Sequence, residues 1–258
     1  MEKKTFFTII TATFNSEKTL KNTIESVLNQ RVTNFEYILV DGKSTDKTLE
    51  IIKSYENSFK EKGISYRWIS EKDTGIYNAF NKGIHLSFGR WISFLGSDDY
   101  YTINALEVYY NKLLTTNQSI DFCYSNVQMI DGPRLMNVIN GVWNWSIFKK
   151  YMNIAHVGAF HNKAYFTKFG FFDESYTIAG DYELLLRARQ DLKTIKADET
   201  TVYMSAGGVS NNQVFKAFKE TFNAKLKTGK RNLILCSFDY VLALTKYFIK
   251  KVLHATVR

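Results

Sequence analysis

The chain of 258 residues is 45% hydrophobic and 23% charged, enough apolar material for a sizeable core and too much for a disordered chain. Its two cysteines, Cys123 and Cys236, lie far apart, which excludes a disulfide framework or a cysteine metal cluster and suits a reducing compartment. The formal charge of +9 is concentrated at one end: from Gln213 onward ten lysines and arginines stand against only Glu220 and Asp239.

The first residues include lysines, but the apolar run behind them alternates with threonine and reaches Asn15 without a small-residue cleavage site. It reads as a strand over residues 6–14 and not as a leader, so the sequons at Asn117 and Asn144 are taken as coincidental. Leu20, Ile24, Val27 and Leu28 then fall at helical spacing over residues 17–30. Residues 35–40 form a continuous apolar strand ending in Asp41-Gly42, and Ser44-Thr45-Asp46 has the chemistry of a cap for a helix carrying Leu49, Ile52 and Tyr55. A third strand over 64–69, a helix over 77–86 and a fourth strand over 91–95 follow, the last running into Gly96-Ser97-Asp98-Asp99.

This alternation predicts an α/β fold with a mainly parallel central sheet flanked by helices. In such a sheet ligands sit outside the carboxyl ends of the strands, so the three acidic loops should converge. The second half is less regular, with strands expected over 121–130 and 194–204, a helix over 180–190 and two basic helices at the end. The domain reading is one α/β domain over 1–212, divided near residue 100, followed by a helical extension over 213–258.

Adjacent carboxylates at a strand end repel unless a cation or solvent neutralises them, and hard divalent ions prefer such oxygens. Asp98 and Asp99 are therefore candidate metal ligands, although the same residues could cap a helix beginning near Thr102. Four segments occur in order: 11–17 (TATFNSE), 40–46 (VDGKSTD), 71–83 (EKDTGIYNAFNKG) and 94–99 (FLGSDD). Together they resemble the family 2 glycosyltransferases of the GT-A fold, particularly bacterial enzymes that build surface polysaccharides, strongly over about the first 100 residues and more loosely to about 210.

The resemblance implies an inverting transfer of one hexose or N-acetylhexosamine from a UDP-sugar to a sugar on a polyprenyl diphosphate, aided by Mn²⁺ or Mg²⁺. It puts the nucleotide-sugar at Thr11, Ala12, Phe14, Asn15, Glu17, Asp41, Asp73, Gly75, Asn78, Lys82, Ser97 and Asp98, the metal at Asp98 and Asp99, and the catalytic base at Asp181, with Glu183 as runner-up. Chemistry agrees in part, since a carboxylate such as Asp41 can accept the uracil N–H and Phe14 offers a stacking face. Asp41 could equally brace its turn, Lys82 could be a surface cation, and Asp181 could be a plain helix cap.

His156, set between apolar residues, and the glycine pair Gly207-Gly208 before Val209-Ser210 are acceptor-side candidates, with a core histidine and an ordinary turn as alternatives. The family pattern usually has an acid where this chain has Gly96. A non-catalytic binding module of the same fold would accommodate that loss. A nucleotidyltransferase would need a glycine-rich basic loop after the first strand, which residues 11–17 lack.

In the extension, Asp239, Lys246 and Lys250 fall near one helical stripe and leave a wide apolar face with Phe238, Leu242, Phe248, Ile249 and Val252. That pattern suits peripheral attachment to anionic lipid on the inner face of the cell membrane, or packing on a second subunit as a homodimer; nucleic acid is not expected. No run of about 20 apolar residues is present to span a bilayer.

Overall fold

The computed structural model describes residues 5–208 and 213–256. Its first third alternates strands and helices: β1 (Phe7–Thr13), α1 (Leu20–Leu28), β2 (Phe35–Asp41), α2 (Thr48–Ser54), α3 (Glu56–Glu61), β3 (Ser65–Ser70), α4 (Ile76–Leu86) and β4 (Trp91–Phe94). All four strands pair in parallel in the order β3-β2-β1-β4. β2 is buried at every position, as expected of a parallel strand with helices on both faces.

The sheet continues with β5 (Tyr100–Tyr101), β6 (Phe122–Asp131), β7 (Arg134–Ile139), β8 (Phe160–Asn162) and β9 (Thr194–Ser205), between which lie α5 (Ala105–Leu114), α6 (Trp145–Phe148), α7 (Lys163–Phe169) and α8 (Gly180–Leu186). The three-residue β8 is inserted antiparallel between β4 and β6, and β6 and β9 form a second parallel pair. Two apolar cores lie on opposite faces. One packs Ile9 and Leu39 against Val27 of α1 and Tyr109 of α5. The other packs Ile10 and Ile38 against Ile84 of α4 and Leu185 of α8.

The sequence boundaries hold to within a few residues. The expected helix over 180–190 shortens to α8 and a single 3-10 turn, Arg189–Asp191. The remaining helices are α9 (Val214–Lys227) and α10 (Leu233–Thr256). Ala224 of α9 is fully buried in the same core as Leu184, Leu185 and Leu186, so the extension rests on α8. Asp239 does not lie on a solvated stripe as the helical wheel suggests: it turns inward, 2.8 Å from Arg231 and 3.4 Å from Lys225. Three partly buried charges thus tie α10 to α9, because each would be costly to bury unpaired. Cys123 and Cys236 are both buried and free.

Candidate active site

The register sets Thr13 opposite Asp41 at the carboxyl ends of β1 and β2, while β4 ends at Phe94 opposite Ile10, three residues short of the end of β1. Beyond that edge the loops are laced together. Asn15, in the left-handed region at φ 49°, accepts from the Thr45 N–H at 2.9 Å and donates its own N–H to Ser44 Oγ at 2.8 Å. Glu17 N–H donates to Asp46 while the Glu17 carboxylate accepts from Lys47 N–H, and Ser16 Oγ lies 2.9 Å from Ser97 Oγ. Asp46 also accepts from Thr48 N–H, but the N-cap of α2 is Lys47, which makes no side-chain cap bond, so the expected capping residue falls one position ahead of it.

At the acidic turn, Asp99 is only 8% exposed, with Oδ1 accepting from Ser205 N–H at 2.9 Å. Thr23 Oγ1 donates to the Asp99 carbonyl and Ser205 Oγ to that of Asp98. Burial, and next the Asp98 charge, push Asp99 up to about 7; burial also raises Asp98. Neither carboxylate caps α5, whose first turn receives Gln30 Oε1 at Leu106 N–H, so the helix-cap alternative falls away.

Gly96 leaves room for both carboxylates as they lie here. A Cβ there would sit 2.6 Å from Asp99 Oδ2 and 3.1 Å from Asp98 Oδ1, so two carboxylate oxygens converge on the space a side chain would fill. Such a pair suits Mg²⁺ or Mn²⁺, which keep several waters and take the rest of their ligands from substrate phosphates. Among the described residues no group of three metal-ligating side chains forms a closed cage.

A cleft of about 810 Å³ runs from Ala12, Asn15 and Glu17 past Gly75 and the 96–99 turn to His156, Asp181, Gly207 and Gly208. A second cleft of about 610 Å³, between the end of β7 and residues 151–157, shares His156 and Asp181 with the first. Asp181 therefore stands on a wall common to two cavities. Burial pushes its carboxyl up to about 6, against the hydrogen bond from Tyr182 N–H. The Tyr77 hydroxyl accepts from Gly180 N–H at 2.8 Å and Asp181 N–H at 3.3 Å and donates to the Ile178 carbonyl. Glu183 points elsewhere, held by Arg187 and Thr228, which removes it as a competing base.

His156 Nε2 lies 2.9 Å from His161 Nε2. Burial drives both rings neutral, His156 down to about 3 and His161 well below its ordinary value. One ring must then donate and the other accept.

Against this geometry, a family model described as "Glycosyl transferase family 2" matches residues 8–172. The chain belongs to glycosyl transferase family 2. It is 31% identical over 250 residues, 91% of this chain and 92% of the relative, to the UDP-Glc:alpha-D-GlcNAc-diphosphoundecaprenol beta-1,3-glucosyltransferase WfaP of Escherichia coli. It is 28% identical over 238 residues, 89% of this chain and 88% of the relative, to a PGL/p-HBAD biosynthesis glycosyltransferase of Mycobacterium bovis.

Among solved structures, residues 1–349 of S. aureus TarS with UDP-GlcNAc superpose at TM-score 0.64 and 18% identity, covering 94% of this chain and 72% of that one. Of a longer TarS structure the chain spans 43%. The mannosyltransferase PcManGT of Pyrobaculum calidifontis, in complex with GDP-Man and Mn²⁺, superposes at TM-score 0.63 and 13% identity, covering 97% and 78%. The fold is GT-A, as the ordered motifs implied.

Within this family 2 glycosyltransferase the expected donor residues divide. Ala12, Asn15, Glu17, Gly75, Ser97 and Asp98 line the larger cleft. Phe14 is 60% exposed, and the Cα of Gly42 faces both its ring and the Asp73 carboxylate. Thr11 is buried and accepts from Tyr37, on the core side of β1. Asp41 is buried too, taking hydrogen bonds from Ser44 and Ser70. Asn78 donates to Glu174, and Lys82 pairs with Glu71 at 2.8 Å while donating to the Lys72 carbonyl. Gly207 and Gly208 lie on the cleft with open space at both Cα atoms; Val209 and Ser210 lie outside the described residues.

Two groups that shape the site have roles a motif reading misses. Tyr77, within the 71–83 segment, looks like one more aromatic at a helix start, and Glu220 like a helix-surface carboxylate. Each acts through a partner distant in sequence, so no local pattern marks the role.

Proposed function

We propose that this enzyme transfers one hexose or N-acetylhexosamine, with inversion, from a UDP-sugar to a sugar hydroxyl on a polyprenyl-diphosphate-linked acceptor, in surface-polysaccharide synthesis at the inner face of a bacterial membrane. The observation that carries the reading is Asp181 on the wall shared by two clefts, one reaching the Asp98–Asp99 turn and the other opening beside β7. The UDP-sugar occupies the first and the acceptor sugar enters by the second. As the acceptor oxygen bonds to the anomeric carbon, its proton passes to Asp181 and the bond to the diphosphate oxygen breaks, releasing UDP. Asp98 and Asp99 would hold Mn²⁺ or Mg²⁺, which when bound neutralises charge gathering on the departing diphosphate.

The 31% identical relative named for a UDP-Glc donor and a GlcNAc-diphosphoundecaprenol acceptor supports the substrate classes, and the TarS complexes with UDP and UDP-GlcNAc support a uridine nucleotide. The decisive experiment screens UDP-sugars with a synthetic lipid-diphosphate sugar, with and without Mn²⁺, and with Asp181→Asn as control. UDP release that needs the acceptor, the metal and Asp181 is the expected result. Turnover unaffected by Asp181→Asn or by chelation would sink the reading.

The extension supplies the membrane contact. Ile234, Phe238, Val241, Leu242, Ile249 and Val252 of α10 are all exposed, with Lys246 and Lys251 exposed on the same helix. No described helix is long and apolar enough to cross a membrane; the exposed apolar residues beside lysines suit a helix lying along the interface on anionic lipid. Flotation with anionic but not with neutral vesicles is expected. Self-association without vesicle binding would instead assign the face to a second copy of the chain.

A further inference from the structure

The loop before α8 has an anchor in the C-terminal extension. Glu220, on α9 and 9% exposed, accepts five hydrogen bonds from three successive residues. Thr177 gives its N–H to both carboxylate oxygens, at 3.2 and 3.1 Å, and its hydroxyl at 2.8 Å. Ile178 and Ala179 give their N–H groups at 2.8 and 2.9 Å. The next two N–H groups, of Gly180 and Asp181, go to the Tyr77 hydroxyl, and that of Tyr182 goes to Asp181 Oδ1. From Thr177 to Tyr182 every backbone N–H is thus assigned, and three of the six depend on one carboxylate in α9.

Burial alone would raise Glu220, but the donors of Ala179, Thr177 and Ile178 outweigh it and hold it below the ordinary value, so it stays charged. A charged acceptor suits this place, since hydrogen bonds to an ionised carboxylate are roughly twice as strong as neutral ones. Thr177 and Ile178 line the cleft beside Asp181, so the segment Glu220 grips is itself part of the wall. The grip is also what α9 offers here, because Ala224, four residues on, is buried against α8 and fixes the helix.

We propose that Glu220 is a positioning residue for the transfer: it holds residues 177–179 so that the Asp181 carboxylate faces the acceptor hydroxyl, and the C-terminal extension is thereby a working part of the active site. This rests on the assignment of Asp181 as base. Glu220→Gln keeps the shape but places an amide N–H₂ against backbone N–H donors. Losing charge-assisted bonds in this way should lower kcat roughly tenfold or more, with the KM for UDP-sugar and the affinity for UDP within about twofold of the parent. Glu220→Asp, which retains the charge but is shorter, should fall between the two.

Asp181→Asn, assayed in parallel on the full chain, separates the two ideas. If Asp181→Asn retains turnover, the base assignment fails. If it abolishes turnover while Glu220→Gln turns over at the parent rate, the positioning proposal alone is overturned. A Glu220→Gln that loses UDP affinity together with kcat also overturns it, since that is general disruption. Should Glu220→Gln not fold, Glu220→Asp carries the test through the same kcat and KM comparison.

Discussion

The donor and acceptor sides of the proposed active site are held together by different means. On the donor side, neighbouring loops lace to one another: Asn15 to Ser44 and Thr45, Glu17 to Asp46 and Lys47, all in the loops that follow two adjacent parallel strands. On the acceptor side, Asp181 is held by Tyr77, 104 residues earlier, and its loop by Glu220, some forty residues later. The donor side needs only correct strand pairing to form. The acceptor side needs the finished fold.

Breaking the shared wall should have the largest effect. Asp181→Asn should lower kcat by about 10²–10⁴-fold with UDP affinity unchanged, measured by UDP release and calorimetry. Because burial holds Asp181 up to about 6 and the base must be ionised, kcat of the parent should fall as pH drops through about 6, where an ordinary aspartate would hold to about 4.

On the donor side Asp98→Ala should cost roughly a hundredfold in kcat/KM, since metal-borne charge neutralisation is worth several kcal/mol. It should also abolish any Mn²⁺ enhancement of UDP binding, which titration with and without the ion would detect. If Asp98→Ala left both unchanged, the converging carboxylates would have no part in phosphate binding.

A smaller effect separates folding from chemistry. His156 and His161 are held neutral, with folded-state pKa values below the ordinary 6.5, so the unfolded chain binds more protons. Stability from this pair is fully present above about 6.5 and is lost as pH falls below it. The Tm should decline accordingly, and His161→Phe should give a shallower decline over that range in a thermal-melt series.

The mildest change is expected at the exposed rim. Phe14→Ala should raise KM for UDP-sugar by roughly three- to tenfold with little change in kcat, because a stacked ring is worth about 0.5–1.5 kcal/mol. An unchanged KM would move the base away from the Phe14–Gly42–Asp73 corner.

What could be read from the sequence follows the same division. The parallel strands and the acidic turn were legible because each is written in a dozen consecutive residues, and Asp181 was singled out by the family resemblance. β8 was not, since three residues carry no periodicity and its place between β4 and β6 comes from the sheet around it. Asp239 was misassigned because a helical wheel gives angles without saying which side meets α9, and there Arg231 and Lys225 reversed the expected exposure. Tyr77 and Glu220 could not be read at all, as nothing local pairs a tyrosine or a glutamate with backbone amides so far away.

The bare Cα at position 96 has a bearing on how this turn can change over generations. Any side chain introduced there first meets Asp99 Oδ2 at 2.6 Å, and an acid would add repulsion to that crowding. A third carboxylate therefore needs Asp99 Oδ2, the free end of a flexible side chain, to turn aside, so what position 96 accepts is set by the rotamer of Asp99, whose other oxygen is tied to Ser205, and not by the backbone of the turn.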